Sequence, residues 1–294
     1  MIDKILHPEY ALNQQDWHMY GLAHRGTYQF VEQYLRKLSD KESDADWTAR
    51  KRTAYIPRYA ASAVTEVKNS ILQRLSDVQR SGGSATYQRV VTGDDKGVDY
   101  QNKDMTTFMG DTVLMDLLVY GKAGVLVDNF TNIGETDQDQ TGHPYVRLYS
   151  APDIRSWTIT DIDKGFDSLL LSEEEETYQH GLVDGVRTQY RLYTREPGVG
   201  VRVEVYGKNR DHNPRDPNSL AYIADPNKEV IIPIDRIPFT VLQIQCSLMT
   251  DIARMQAELM NMESSDVSHV LYANFPFLAA AYDEDDPSPY RQNN

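Results

Sequence analysis

The spacing of apolar residues changes near residue 123 and divides the chain into a helical part and a sheet part. Before this point, apolar residues recur at steps of three and four, which predicts a helix with one apolar face. These residues are Val64, Val67, Ile71, Leu75 and Val78. Residues 103–120 are apolar on most sides, which predicts a buried helix. We therefore predict helices near 52–78 and 103–120, with Pro57 near the start of the first.

After residue 123 the apolar period is two, which is typical of strands with one buried face. Residues 186–192 and 199–205 both alternate in this way, and Glu196-Pro197-Gly198 between them is a turn signal, so they predict a β-hairpin. A short strand is predicted at 145–149. The strands EVIIPI and IPFTVLQI contain prolines, which favours sheet edges. The prediction is a mostly antiparallel sheet over 123–243.

The helical period returns in a last helix at about 250–273. One stripe of this helix is apolar and consists of Ile252, Met255, Leu259 and Met262. A single core could absorb that stripe. However, Met260, Val267, Val270 and Leu271 lie off it, so apolar surface remains after one face is buried. We predict that the stripe Ile252, Met255, Leu259 and Met262 makes subunit contacts.

These elements predict an α+β fold, in which long helices pack with a mostly antiparallel sheet. Three regions follow: a helical region at 1–122, a mainly β region at 123–249, and a C-terminal helix with a polar tail at 250–294. The polar tail does not have the pattern of an element that closes a fold, so we expect it to lead into further elements. Among smaller features, Gly21 and Gly26 are expected to break helices, and 86–102 is predicted to be loop.

The stretch LLVYGKAGVLVDN at 117–129 carries glycines and a lysine, as a phosphate-binding loop does. In such a loop a strand comes first and the N-terminus of the following helix faces the phosphates. Here the helix comes first, and the spacing GxxxxGK[ST] is absent. We therefore predict a helix-to-strand turn, in which Gly121 has a positive φ and Val125 and Val127 are buried in the strand.

Charge is distributed unevenly along the 294 residues, whose net charge is −14. Residues 1–100 hold 14 Lys/Arg and 13 Asp/Glu, whereas residues 101–294 hold 16 and 31. A tight nucleic-acid clamp needs concentrated positive charge, so this balance disfavours one. No apolar run approaches membrane-spanning length, and no signal peptide is evident, so the sequence predicts a protein outside membranes.

Residue types that carry chemistry are present but scattered. Cys246, the one cysteine, lies in an apolar stretch and is predicted to be a buried, inert thiol. The acidic run at 173–176 is interpreted as solvated or as lining a shared surface. The loop with Asp211, His212 and Asp216 could hold a cation, yet its prolines and asparagines favour plain loop. We predict no catalytic residue, no cofactor site and no metal site.

Several stretches in order resemble the portal proteins of tailed bacteriophages. They are HPEY, RKRTAYIPRYAASAV, TTFMGDTVLMDLLVYGKAGVLVDN, PYVRLYSAPDIRSW, QYRLY, IPFTVLQI and AELMNMESSDVSHVLYANFPFL. Each motif alone is weak, and the resemblance rests on their order and spacing over most of the chain. The chain is shorter than portals usually are, so the resemblance implies the wing-containing part of such a protein.

The resemblance implies a structural ring, usually of twelve subunits, at one vertex of a phage capsid. Such a ring passes double-stranded DNA without sequence-specific binding and docks the terminase motor, the capsid and the tail connector. It implies a virion protein that is in the host cytoplasm during assembly, and a protein that is not an enzyme. Two alternatives stay open from the residues: a metal-dependent hydrolase or nuclease, and a monomeric virion adaptor.

Overall fold

The fold is mixed α and β with antiparallel sheets, as the change of apolar period predicts. The computed structural model describes residues 2–73, 80–94, 97–99, 101–129, 144–179, 182–209, 212 and 220–274. Its helices are α1 (Pro8–Arg25), α2 (Tyr28–Tyr34), α3 (Asp44–Thr53), α4 (Tyr59–Leu72), α5 (Ala85–Thr92), α6 (Met105–Thr107), α7 (Leu114–Tyr120) and α8 (Met249–Asn274).

Helix α1 begins and ends at signals that the sequence carries. The His7 ring accepts a hydrogen bond from the Glu9 amide, Pro8 occupies the first turn, and Gly26 ends the helix with φ 60°. The predicted break at Gly26 is therefore confirmed, whereas the break at Gly21 is wrong. Gly21 lies inside α1 because the Tyr120 hydroxyl packs against it, only 2.7 Å from where a Cβ would stand.

The predicted helix at 52–78 starts too early. Residues 54–58 are not helical, and α4 begins at Tyr59, because the ring of Pro57 disfavours helical backbone at the residue before it. Residues 52 and 53 belong instead to α3, which ends before this break. Residues 74–79 at the other end of the prediction lie outside the described residues.

Two local structures were not expected from the sequence. Within the predicted loop 86–102, Ala85–Thr92 forms α5, whose first turn is capped by Ser84 and whose end is Gly93 with φ 80°. The predicted helix at 103–120 is continuous but contains a π-helical segment, Phe108–Val113, between α6 and α7. Single π-helical turns of this kind occur mostly inside α-helices, as this one does.

Two antiparallel sheets follow, and both proline-containing strands lie at sheet edges as predicted. The strands are β1 (Lys122–Asn129), β2 (Pro144–Ser150), β3 (Ile154–Thr158), β4 (Ser168–Gln179), β5 (Leu182–Glu196), β6 (Gly200–Lys208), β7 (Tyr222–Ala224), β8 (Val230–Ile232) and β9 (Phe239–Gln243). The three-stranded sheet has the order β2-β1-β9. The six-stranded sheet has the order β3-β4-β5-β6-β7, with β8 also paired to β6. The predicted hairpin is β5–β6, with its turn around Gly198.

The layers stack in the order helices, three-stranded sheet, six-stranded sheet. Alternation along β1 explains this order, because successive side chains point to opposite faces. Ala123 packs with Phe108 and Val113 on the helix side, whereas Leu126 packs with Leu169 on the side of the larger sheet. A separate helical core joins α1, α2, α4, α7 and α8.

Gly121 ends α7 with φ 77°, so the predicted positive φ is confirmed. The predicted burial of the two valines after it is partly wrong. Val125 is half-buried against the helix-side core, but Val127 is 45% exposed near the end of β1. The buried apolar side chains of the strand are those of Ala123 and Leu126.

We expect Gly121→Val to lower the free energy of unfolding by about 1–2 kcal/mol or more, because a β-branched residue is strained in the left-handed region. Its Cβ would also lie 3.4 Å from the Ser247 backbone nitrogen. Gly207→Val is the matched control, since Gly207 lies in β6 with nothing within 4 Å of its Cβ position. Urea unfolding with equal losses for both variants would contradict the assignment.

Candidate subunit interface

Helix α8 is fixed at its start by the glycine turn after α7. The last carbonyl groups of α7 accept hydrogen bonds from three residues. The Leu118 carbonyl accepts from the Leu248 amide at 3.0 Å, the Val119 carbonyl from the Ser247 hydroxyl at 2.6 Å, and the Tyr120 carbonyl from the Trp17 indole at 3.2 Å. In the turn, the Gly121 carbonyl accepts from the Ile244 amide at 2.9 Å. The Ser247 oxygen also caps α8 by accepting the Met249 amide at 2.9 Å. The end of one helix therefore sets the beginning of the other.

The predicted helix-to-strand turn at the glycine is confirmed, because α7 ends at Tyr120 and β1 begins at Lys122. The helix end that faces it presents carbonyl groups, whose partial charge is negative. Lys122 is only 5% exposed, and its ammonium group pairs with Glu9 at 2.9 Å and lies 3.8 Å from the centre of the Trp157 ring. The lysine thus joins β1 to the start of α1.

The face that α8 buries consists of Met249, Ala253, Gln256, Ala257, Met260 and Ser264. Gln256 is 1% exposed and joins the ends of two helices. Its Oε1 accepts the Ala60 amide in the first turn of α4 at 2.8 Å, where Arg58 supplies no side-chain cap. Its Nε2 donates to the Ala23 carbonyl in the last turn of α1 at 2.8 Å. These bonds fix the rotation of α8 about its axis.

Further along, α8 is bonded to the segment that links α2 and α3. The Asn261 side chain donates to the Tyr34 carbonyl at 3.0 Å and accepts the Arg36 amide at 2.8 Å. Ser264 accepts a guanidinium hydrogen of the buried Arg50 at 2.9 Å. The buried face is thus defined by polar contacts as much as by apolar ones.

The predicted interface stripe lies mostly on the solvent side of α8. Met255 and Met262 are each 63% exposed and Leu259 is 41% exposed, whereas Ile252 is half-buried against the helical core. Of the residues expected to remain outside the core, Val267 and Val270 are exposed but Met260 is fully buried. The position of the Leu271 side chain is outside what the structure describes. In the single chain, Met255, Leu259 and Met262 therefore form an exposed apolar strip on α8, whose opposite face is held by the contacts above.

The acidic run at 173–176 is not uniformly solvated, contrary to the first of its two interpretations. Glu173 is 4% exposed, because β4 alternates and turns this residue inward. Its carboxylate accepts hydrogen bonds from the Tyr149 hydroxyl, from Gln189 at 3.0 Å and from Arg191 at 3.2 Å, and lies 3.3 Å from Arg147. Burial, followed by this carboxylate charge, raises the pKa of Tyr149 above its ordinary value.

A cleft of about 920 Å³ separates α1 from α7 and the corner between β2 and β3. Asp116 and Asp153 line it, and both interact with Ser150. Burial raises the pKa of Asp116 to about 6; the Ser150 hydrogen bond lowers this pKa, and the charge of Asp153 raises it. Burial likewise raises the pKa of Asp153 to about 6, against a hydrogen bond from Ser172.

The raised carboxyl pKa values predict a pH dependence of stability. The pKa of Asp116 is near the ordinary value of 3.8 in the unfolded chain but about 6 in the folded protein, so the folded state binds more protons between these pH values. The stabilisation that Asp116 contributes should therefore fall as pH rises from about 4 to 6 and then level off. Urea unfolding at each pH gives the free energy of unfolding of Asp116→Asn minus that of wild type. We expect this difference to be about 1–2 kcal/mol larger at pH 7.5 than at pH 4.5. Parallel pH curves would contradict this.

The remaining predicted groups do not come together into a site. Cys246 is exposed in a bend, not buried, because its segment turns away from β9 to reach α8. Asp211 and Asp216 lie outside the described residues, so the convergence of the Asp211, His212 and Asp216 loop stays untested. Within the described part of the chain, no group of three His, Cys, Asp or Glu side chains is placed to hold a metal ion.

Neither the protein-family models nor the curated proteins provide a match to this chain. Among the residues with described positions, every helix is too short or too polar to cross a bilayer.

Proposed function

We propose that the chain is the structural subunit of a ring at a tailed-phage capsid vertex, with the portal proteins it resembles as the template. The ring, usually of twelve subunits, would pass double-stranded DNA during packaging and ejection. It would dock the terminase motor, the capsid and the tail connector, in the virion and, during assembly, in the host cytoplasm. The protein itself would carry out no catalysis.

The observation that supports assembly most directly is the exposed strip on α8. Polar contacts from Gln256, Asn261 and Ser264 hold the opposite face, so α8 cannot rotate to bury Met255 and Met262 in its own core. A neighbouring subunit can cover them, and methionine adapts to the small shifts of a repeated contact. The portal identity itself comes from the order of the sequence motifs.

The net acidity of residues 101–294 also suits a DNA conduit. A wall of negative charge repels phosphates, so a duplex can slide without being trapped by counterion release. Such a balance is common in proteins of other kinds, and it supports the proposal only together with the assembly surface.

The decisive experiment is light scattering and negative-stain imaging of the purified chain. We expect closed rings for the wild type. Met255→Glu/Met262→Glu should lower the ring fraction at least tenfold, because carboxylates would be desolvated in the contact. Leu12→Glu, at an 81% exposed apolar residue on α1, is the matched control and should assemble normally.

Other outcomes would favour the alternatives. A wild-type protein that remains monomeric at all concentrations would support the adaptor. Cleavage of DNA in the presence of Mg²⁺, lost on Asp211→Asn, would support the metal-dependent nuclease. If Met255→Glu/Met262→Glu forms rings with the same yield as wild type, the interface lies elsewhere on the chain.

A further inference from the structure

The cleft between α1, α7 and the β2–β3 corner has the size of a small-molecule site. Its volume is about 920 Å³, within the range of about 300–1,000 Å³ that is common for ligand pockets. The Tyr10 hydroxyl donates to the Pro152 carbonyl at 3.1 Å, and the Trp17 indole donates to the Tyr120 carbonyl at 3.2 Å. Helix α1 is therefore bonded to both other walls, and the cleft is preformed.

Two carboxyl groups in this cleft lack a cationic partner. Asp116 on α7 and Asp153 at the corner form no ion pair with any residue whose position is described. Oδ2 of Asp116 also has no hydrogen-bond partner among these residues. Arg147 lowers the pKa of Asp153, but by less than the charge of Glu174 raises it, and Arg147 pairs with Glu173 at 3.3 Å. The chain therefore leaves the charge of the two carboxylates largely uncompensated.

The basic residues next to each other on the α1 wall, His24 and Arg25, do not supply this charge. Arg25 donates from Nε to the Gly21 carbonyl of its own helix at 3.3 Å. His24 is neutral at pH 7, because burial lowers its pKa below the ordinary 6.5, as do the charges of Arg58 and Arg25. By contrast, the two aspartates have pKa values of about 6 and are mostly ionised at pH 7.

Much of the remaining lining is neutral and is aromatic or apolar. It includes the rings of Trp17, Tyr34 and Tyr120 and the side chains of Met115 and Val119. Burial, followed by nearby carboxylate charge, raises the pKa values of Tyr34 and Tyr120, so both hydroxyls are uncharged at neutral pH. Aromatic faces attract cations, and apolar side chains favour an apolar stem. The cleft thus combines negative charge with an apolar wall.

We propose that this cleft binds an organic cation, in which an ammonium or guanidinium group is carried on a short apolar stem. The cationic group would lie at Asp116 and Asp153 and form charge-assisted hydrogen bonds with them. The stem would lie against Trp17, Met115 and Val119. A metal ion fits less well, because within the described part of the chain no third His, Cys, Asp or Glu side chain joins the two carboxylates. The inference does not depend on ring formation.

Binding of n-butylamine to the purified chain, followed by saturation-transfer difference NMR, tests the site. We expect n-butylamine, an ammonium ion at neutral pH, to bind at least tenfold more tightly than the uncharged n-butanol. Asp116→Asn/Asp153→Asn should weaken n-butylamine binding about tenfold. Asp16→Asn is the matched control, because Asp16 lines the same cleft but pairs with Arg254 at 3.4 Å. Its affinity should stay within about twofold of wild type.

The pH dependence of binding tests the carboxylates in the wild-type chain. Because both carboxyls lose their charge as pH falls through about 6, the affinity for n-butylamine should be about tenfold lower at pH 5 than at pH 7.5. Asp116→Asn/Asp153→Asn keeps the other charged or titratable groups near the cleft. These are Asp16, His18, His24, Arg25, Arg147 and Glu174. The part of the pH dependence that this variant loses therefore belongs to the two carboxyls.

Three results would overturn the inference: n-butylamine binding no more tightly than n-butanol, Asp16→Asn weakening binding as much as the double variant, or a wild-type affinity that is independent of pH. Two further probes distinguish the source of the cation and support the inference in either case. Tighter binding of putrescine than of n-butylamine indicates a free amine. Tighter binding of a capped Gly-Lys-Gly peptide indicates a side chain of another protein. A wild type that forms no ring would contradict the proposed function but not this site.

Discussion

Glu173→Ala is expected to lower the free energy of unfolding by about 3–5 kcal/mol, the largest effect of any single change discussed. Removing this buried carboxylate leaves Arg147 without its ion-pair partner and leaves Arg191 with Asp128 alone, at 3.3 Å. Tyr149 and Gln189 also lose their acceptor, and Oε1 of Gln189 already has no hydrogen-bond partner among the described residues. Chemical denaturation at neutral pH measures the loss.

Glu174→Ala provides the matched control, because Glu174 is the next residue on β4 and is exposed. The free energy of unfolding of this variant should stay within about 0.5 kcal/mol of the wild-type value. Glu173→Gln should fall between the two, since the amide keeps one acceptor oxygen but not the charge. A loss below about 1 kcal/mol for Glu173→Ala would mean that solvent reaches the network and that it is not a buried one.

Gln256→Leu should cost about 2–4 kcal/mol even though the side chains are similar in size. Leucine fills the space but leaves the Ala60 amide and the Ala23 carbonyl unpaired, and each buried unpaired group costs about 1–3 kcal/mol. Because these groups belong to α4 and α1, the loss should appear in the whole helical layer. Urea unfolding monitored by circular dichroism measures it.

The control for this change is Glu263→Leu, an exposed position on the same helix. It adds apolar surface without removing a buried bond, so its stability should stay within about 0.5 kcal/mol of wild type. If Gln256→Leu were as stable as this control, the glutamine bonds would not hold α8 in its rotation.

The strands could be predicted from the sequence because their signal is local. The alternation at 186–192 and 199–205 appears directly as β5 and β6, and the turn at Gly198 separates them. The helix end at Gly121 is similar, since a left-handed residue after an apolar helix requires glycine. Prolines next to β8 and β9 likewise identified edge strands.

The buried face of α8 could not be predicted, although the bounds of the helix were. The apolar stripe with Met255, Leu259 and Met262 was predicted to make subunit contacts, and the pattern did not indicate that the core side carries Ala253, Gln256 and Ser264. Small and polar residues are buried there because neighbouring helices approach closely and offer hydrogen-bond partners. Those partners are distant in sequence, so no local pattern contains them.

The same reason explains the predictions that were wrong. Gly21 accommodates Tyr120, a contact between residues about a hundred positions apart, and was mistaken for a helix break. Glu173 is buried because Arg191 and Tyr149 converge on it from other strands. Helix α5 depends on its caps at Ser84 and Gly93 rather than on apolar period, so its polar sequence resembled loop.

The attachment of α8 also sets the order in which the protein can fold. Its bonds reach back 129 residues to Leu118, 196 to Ala60 and 233 to Ala23. Contacts at such separations form late, because closing a long loop costs entropy before any contact compensates for it. We therefore expect α8 to dock after β9 has paired with β1, so that its apolar strip is presented as one fixed surface only once the core is complete.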